Sequence, residues 1–379
     1  MNQAEMPHSL KYKIGVLTSS RADYGIYKPL LNLFKNDDQV EVHMIVFGMH
    51  LIEKYGLTVN LIEEDKFGQV HKVYGMPEKD DILSVSSGYG ELIKQFSTFW
   101  ASNSFDYVLC LGDRFEMSAA VQSSIPFEVN LAHLHGGETT LGATDNIYRH
   151  QITLAAKLHF VATPLFKKRV TQIIGSEENV FSVGALSLSE IENLYLPDWK
   201  DVCQEFSLPN CPFILVTIHP ETIGVHENIE FASEAAKALR ELTRNWNIVV
   251  TMPNADVQGS VYRNMLTELK KHYPDKVYLI ENFGREKYFT TMKASEFLLG
   301  NTSSGILEAA SFGKYVVNLG DRQKGRLQSQ NVVNVAFESS EIIQAAIKVS
   351  AMGEYSGVNI YQRNNTASNI LNILKSEEL

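Results

Sequence analysis

KIGVLTSSRADYG, residues 13–25, is the stretch from which the fold is read. Lys13–Thr18 is a short apolar run of strand type. A polar loop of small residues follows, and then Tyr24–Asn36 brings Ile26, Leu30, Leu31 and Phe34 onto one helical face. A buried strand feeding through a short loop into an amphipathic helix is the first part of a βαβ unit. The unit recurs. Val40–Phe47 (VEVHMIVF) is a second strand, and Asp106–Leu111 (DYVLCL) a third that leads into a helix over Phe115–Ser124. Val129–Leu134 is a fourth, Ile147–Ala156 a helix, and Leu158–Ala162 a fifth strand. Short strands separated by helices imply parallel crossovers and a doubly wound sheet.

The second half restarts the pattern. Phe213–Ile218 (FILVTI), Ile248–Met252, Val277–Ile280, Phe297–Gly300 and Tyr315–Leu319 read as strands. Asn228–Asn245, Ser260–His272 and Gly305–Phe312 read as helices. The polar segment Leu186–Pro212 serves as the connection plus one helix. The expected fold is therefore α/β, with two Rossmann-like doubly wound domains, residues 1–185 and 186–364, facing across a cleft. The last helix, Thr366–Leu374 within 365–379, is expected to pack back on the first domain. In such sheets ligands bind outside the strand C-termini, so the loops just after strands are where functional residues are sought.

Composition narrows the classes of function. The chain has 379 residues, 44% of them hydrophobic, and a net charge of −10. That balance argues against a nucleic-acid or anionic-membrane partner, while local arginines can still hold an anionic ligand. The three cysteines, Cys110, Cys203 and Cys211, show neither CxxC nor zinc spacing, which reads as free thiols in a reducing compartment. The N-terminus lacks a signal-type apolar region and no run is long enough to span a membrane. The expected location is cytoplasmic.

Seven post-strand clusters carry candidate chemistry. After the first strand, Ser19-Ser20-Arg21 lacks the GxGxxG of a dinucleotide site. It suits a phosphate through backbone donors and a guanidinium; the alternative is a capped helix with a solvated arginine. Gly112-Asp113-Arg114 puts an aspartate at the crevice mouth beside an arginine, for proton transfer or merely as a cap. His133-Leu134-His135-Gly136-Gly137-Glu138, followed by Asp145, Arg149 and His150, is the densest cluster. Its HxH spacing raises a metal, without supporting ligands; proton transfer and substrate binding fit it better. In the second half, His219 follows FILVTI, and Asn254 follows the next strand in PNAD. Asn301-Thr302-Ser303-Ser304-Gly305, with Glu308 one turn on, offers amides and hydroxyls to a diphosphate or is a plain capped helix. Arg322 follows NLGD.

With these motifs in this order, the chain resembles the UDP-N-acetylglucosamine 2-epimerase family, and within it the hydrolysing branch of sialic-acid biosynthesis type. The resemblance runs through SSRADYG, GMHLIEKYGLTVNLIEED (residues 48–65), GDRFE, HGGE, DNIYRH, HPET, PNADVQGS, GNTSSGILE and NLGDRQKGR, almost the whole chain. It implies a glycosyltransferase B type fold, a UDP-sugar bound between the domains, no cofactor or metal, and a homodimer or higher homo-oligomer. It implies UDP contacts at Arg21, Arg114, His219, Asn254, Thr302, Ser303, Glu308 and Arg322, with Arg149 on the substrate side. It puts acid/base groups at Asp113, at Asp145 and on the loop of His135 and Glu138, and counts His219 among the catalytic residues as well. Many members have glutamate at the position of His135, so either His135 or Glu138 takes that task here. The implied reaction expels UDP from UDP-N-acetylglucosamine by elimination across C1–C2 and adds water to give N-acetylmannosamine. The alternatives are the same reaction on a UDP- or GDP-diacetylbacillosamine, a non-hydrolysing epimerase, a glycosyltransferase of the same fold, and a binding protein that has lost catalysis.

Overall fold

The computed structural model describes residues 11–376 apart from 78, 80, 142, 190, 192–193, 222–224 and 254–257. Its first sheet joins β1 (Tyr12–Thr18), β2 (Val40–Val46), β3 (Gln69–Lys72), β4 (Tyr107–Leu111), β5 (Leu131–Leu134), β6 (Leu158–Val161) and β7 (Val180–Ser182) in the order 3-2-1-4-5-6-7. The second joins β8 (Phe213–Thr217), β9 (Asn247–Thr251), β10 (Val277–Ile280), β11 (Leu298–Gly300), β12 (Val316–Leu319) and β13 (Val332–Val335) in the order 10-9-8-11-12-13. Every pairing is parallel. Each order reverses once, between β1 and β4 in the first lobe and between β8 and β11 in the second. The strand C-termini part there, and a crevice opens at each reversal.

Thirteen helices cover these sheets among the described residues: α1 (Arg21–Lys35), α2 (Val59–Asp65), α3 (Ile82–Ser102), α4 (Phe115–Ser124), α5 (Asp145–Ala155), α6 (Pro164–Ile174), α7 (Trp199–Phe206), α8 (Asn228–Leu242), α9 (Gly259–His272), α10 (Arg285–Ala294), α11 (Ser303–Leu307), α12 (Ser339–Ser350) and α13 (Thr366–Ser376). Successive strand residues point to opposite faces. Ile14 and Val16 of β1 meet Tyr27, Leu30, Leu31 and Phe34 of α1, whereas Leu17 meets Phe96 and Trp100 of α3 and Val121 of α4. With both faces covered, the strands need continuous apolar runs, and that is what their sequences contain. The second lobe is built alike, with Leu239 of α8, Leu266 of α9 and Ile342 of α12 in one core cluster and Phe289 and Met292 of α10 in another.

The sequence expectation covers ten of the thirteen described strands; it leaves out β3, β7 and β13, together with helices α2, α3, α6, α10 and α12, and it bounds one further helix differently. No helix was read over residues 82–102, yet α3 is 21 residues long there. The expected helix over Gly305–Phe312 starts earlier, at Ser303, and breaks at Glu308. A 3-10 turn over Ala309–Phe312 follows and stops at Gly313, whose φ of 70° ends it. The tighter turn brings Ala309 fully into the core.

The C-terminal helix returns to the first lobe. Ile370 and Leu374 of α13 join the same core cluster as Leu30 and Phe34. Tyr12 donates its hydroxyl to the Lys375 carbonyl at 3.1 Å, and Lys375 pairs with Asp37 at 2.8 Å. Ile370 is completely buried. Ile370→Ala is therefore expected to cost about 2–4 kcal/mol from lost apolar contact and the residual cavity. Urea unfolding of the whole chain measures it; a loss below about 1 kcal/mol would mean the helix is only loosely docked.

Candidate active site

At the first crevice β1 runs into Ser19 and Ser20, with Ser20 the N-cap of α1. The structure combines parts of both sequence readings: Ser20 caps the helix, yet Arg21 lines the cavity. Asp23 turns its carboxylate back onto the loop and accepts from the Ser19 amide (2.9 Å), the Ser20 amide (3.1 Å), the Ser19 hydroxyl (3.0 Å) and the Thr18 hydroxyl (2.6 Å). The backbone donors are thus committed inside the protein, and a phosphate has no call on them. Ser19, Ser20, Arg21 and Asp23 of this loop line the cleft, and Arg21 supplies its cation. Burial alone would raise the Asp23 pKa, but His50, Thr18 and the Ser19 amide together hold it below the usual range. His50 is itself fixed by Thr18 (2.9 Å) and Thr58 (2.7 Å).

β4 ends in Gly112-Asp113-Arg114. Asp113 is gripped by the Arg149 guanidinium, which rises from α5 and is only 1% exposed. Arg149 Nη1 also donates to the Glu138 carbonyl and the Thr140 hydroxyl, both at 3.0 Å. Burial lowers the Arg149 pKa strongly. The Asp113 carboxylate and these two oxygens supply the compensation a buried charge needs. His133 braces the same loop, with one ring nitrogen 2.9 Å from the Gly112 carbonyl and the other 3.2 Å from the Thr153 hydroxyl. Burial pushes its pKa down to about 3, so it is neutral and structural. No group of three or more His, Cys, Asp or Glu among the described residues is arranged to hold a metal.

His135 sits at φ 66°, a left-handed conformation that a side chain adopts only when its surroundings enforce it. Its Nδ1 lies 2.8 Å from Glu138 Oε1, and the other Glu138 oxygen lies 2.8 Å from Arg326 Nη2 of the second lobe. Burial would raise the Glu138 pKa, but Arg326 and then His135 outweigh it and hold the group below the usual range.

In the second lobe Asn301 clamps His219, accepting from its amide at 2.7 Å and donating to its carbonyl at 2.9 Å. The preceding Gly300, at φ 141°, is packed on β8 so closely that a Cβ would lie 1.9 Å from the Thr217 carbonyl oxygen. Only glycine fits there. Glu221 accepts from the amides of Asp321 (2.7 Å) and Arg322 (3.2 Å) and so fixes the loop after β12. Arg322 then reaches the Pro220 carbonyl at 2.7 Å and lies 4.0 Å from Asp145 across the cleft. Thr302 caps α11. Glu308, its pKa raised by burial, takes the Ser187 hydroxyl at 2.5 Å.

These loops enclose one cavity of about 360 Å³ between the lobes. Arg21, Asp113, Arg114 and Asp145 line it from the first lobe; His219, Thr302, Ser303, Glu308 and Arg322 line it from the second. Arg149, His135 and Glu138 stand behind the wall rather than in it, and Asn254 lies outside the described residues. Sequence reasoning missed Asn282, Phe283, Arg285 and Tyr288, which follow β10, and Arg326 after β12; all five line the cavity. The rule that ligands sit just after strands would have found the first group.

Two parallel doubly wound lobes whose reversal points share one arginine-rich cleft define a protein of glycosyltransferase B architecture. Its relatives narrow that class. A family profile described as UDP-N-acetylglucosamine 2-epimerase matches residues 32–375. The UDP-N,N'-diacetylbacillosamine 2-epimerase (hydrolyzing) of Legionella pneumophila is 34% identical, with 96% of each chain covered. The GDP/UDP-N,N'-diacetylbacillosamine 2-epimerase (hydrolyzing) of Campylobacter jejuni is 32% identical over 90% of this chain and 88% of that one. The polysialic acid biosynthesis protein P7 of Escherichia coli is 30% identical over 96% and 93%. The solved UDP-GlcNAc 2-epimerase of Methanocaldococcus jannaschii, in complex with UDP-GlcNAc and UDP, superposes with a TM-score of 0.79 at 14% identity, covering 96% of this chain and 100% of that one, a likeness of fold. The chain belongs to the UDP-N-acetylglucosamine 2-epimerase family.

The pH dependence of stability follows from Glu138. Its folded pKa lies below the unfolded value of about 4.3. Its contribution is therefore complete above that value and lost as pH falls through the folded pKa. The stability difference between wild type and Glu138→Gln should shrink as pH drops below about 4.3. Urea midpoints at pH 7 and at pH 3.5 test this, and a constant difference would contradict it.

Proposed function

We propose that this chain is a hydrolysing nucleotide-sugar 2-epimerase, acting on UDP-N-acetylglucosamine to release UDP and N-acetylmannosamine. One observation carries the reading. The carboxylates Asp113 and Asp145 and the cationic or polar groups Arg21, His219, Ser303 and Arg322 line the same cavity. Guanidinium groups suit a diphosphate, and carboxylates at a hexose ring suit proton transfer at carbon.

The C2 proton is weakly acidic, so its removal is coupled to rupture of the C1–O bond. In the proposed path a base takes that proton, the C1–C2 double bond forms, and UDP leaves with the C1–O electron pair. Arg21, Arg322 and His219 are placed to meet the negative charge that grows on the departing diphosphate. The hydroxyl of Ser303 at the start of α11 is a further donor. Water then adds its oxygen to C1, and C2 is protonated from the opposite face, which inverts that centre. Asp113 and Asp145 are the proposed groups on the ring. Arg149 orients Asp113, while His135 with Glu138 forms a second proton-transfer pair behind the wall. No net oxidation or reduction occurs, so the path requires no hydride acceptor. We place the enzyme in the cytoplasm as a homodimer or higher homo-oligomer.

A second reading, the same reaction on UDP-diacetylbacillosamine, is favoured by the names of the relatives at 34% and 32% identity. Parallel incubation with both nucleotide sugars, read by NMR, separates the two. Free sugar plus UDP supports hydrolysis, while an equilibrium of two nucleotide sugars would point to the non-hydrolysing reaction. In D₂O the product should carry deuterium at C2, and its absence would exclude elimination and addition. Asp113→Asn and Asp145→Asn should each keep UDP binding and lose about 10²–10⁴-fold in kcat. Unchanged turnover in both would remove these carboxylates from the reaction.

A further inference from the structure

Arg326 belongs to the second lobe, on the loop after β12, yet it is tied to the first. Its Nη2 lies 2.8 Å from Glu138 Oε2, with side-chain exposures of 7% and 1%. A guanidinium presents five N–H donors in a rigid fork, and this contact uses one corner of it. Nε and Nη1 are buried with no hydrogen-bond partner among the described residues, and the same holds for His135 Nε2. An unmet buried donor costs about 1–3 kcal/mol, more when the group is charged. Arg326 lines the cavity, whereas Glu138 and His135 do not.

The neighbouring groups have other commitments. Glu308 takes the Ser187 hydroxyl at 2.5 Å, and Arg149 donates to the Glu138 carbonyl rather than to its carboxylate. His133 is held by Gly112 and Thr153, and the Tyr361 hydroxyl donates to the Leu327 carbonyl at 2.7 Å. Glu138 already balances the charge of Arg326, so what the free donors suit is a neutral acceptor rather than a second anion. The diphosphate has Arg21 and Arg322 for its charge. The neutral acceptors of a nucleotide sugar nearest the proposed acid/base groups are the acyl and hydroxyl oxygens of the hexose.

We propose that Arg326 binds the substrate sugar, offering Nε and Nη1 to an acyl or hydroxyl oxygen of the ring while Nη2 holds Glu138 on His135. The inference rests on the 2-epimerase reading and deepens it. One side chain from the second lobe then grips the hexose and aligns the proton-transfer pair of the first, and sugar binding and alignment become a single event.

Arg326→Met and Arg326→Lys test it, with kinetics on whichever nucleotide sugar wild type consumes and with UDP affinity measured by calorimetry. In Arg326→Met, KM should rise about 10- to 100-fold, as expected for loss of hydrogen bonds to a charged donor. kcat should fall as well, while UDP affinity stays within about threefold, a bound that also reports an intact fold. Lysine supplies one ammonium that reaches Glu138 but lacks the fork, so Arg326→Lys should recover kcat and keep the raised KM. An unchanged KM in Arg326→Met would overturn the proposal. So would UDP affinity falling in step with KM, since Arg326 would then be a nucleotide or purely structural residue. A wild-type enzyme that releases UDP from no sugar nucleotide would sink the epimerase reading, and this inference with it; the variant pattern bears on Arg326 alone.

Discussion

The buried charge of Arg149 organises the first lobe's half of the cleft. A guanidinium at 1% exposure is tolerated only if its donors are met. Asp113 after β4, the Glu138 carbonyl after β5 and the Thr140 hydroxyl beyond it meet them. Three points on two loops are thereby held to one side chain on α5. Breaking a buried pair of this kind typically costs about 3–5 kcal/mol, because the remaining charge is stranded. The positions of Asp113 at the cavity and of Glu138 behind it follow from that requirement. His133, neutral and wedged beneath Gly112, adds a second brace to the same loop.

The second lobe fixes its loops mainly through contacts to backbone groups. Asn301 clamps His219 through both backbone groups, Gln323 donates to the Asn301 carbonyl at 2.8 Å, and Glu221 collects two amides of the loop that carries Arg322. The net charge of −10 therefore says little about the cleft, where Arg21, Arg114, Arg285, Arg322 and Arg326 converge. A molecule that is acidic overall concentrates its positive potential where field lines are focused by low-dielectric walls.

The sandwiched sheets were legible in the sequence because strands covered on both faces must be continuous apolar runs. The post-strand positions of Arg21, Asp113, His219, Ser303 and Arg322 followed from that reading. Helix α3 was not legible. Gly88, Gly90 and the serines at 84, 86 and 87 are poor helix formers, and tertiary packing overrides them: a Cβ at Gly88 would lie 2.3 Å from the Pro77 ring. Within the site, residue type could not say which donors remain available. Asp23 uses up the amides of Ser19 and Ser20, a fact of side-chain direction that no spacing rule contains. Nor could spacing tell wall from backing, which is why His135 and Glu138 turned out to stand behind Arg326.

The connection between the lobes runs twice, once outward after β7 and once back into α13. The two passages are bonded to each other, Ala185 to Tyr361 at 2.9 Å and the Thr366 hydroxyl to the Val183 carbonyl at 2.7 Å. A single crossing would leave one point of attachment, whereas two bonded side by side share the load of holding the lobes together. Fastened to each other, the two crossings fix the registration of one lobe on the other at two points rather than one.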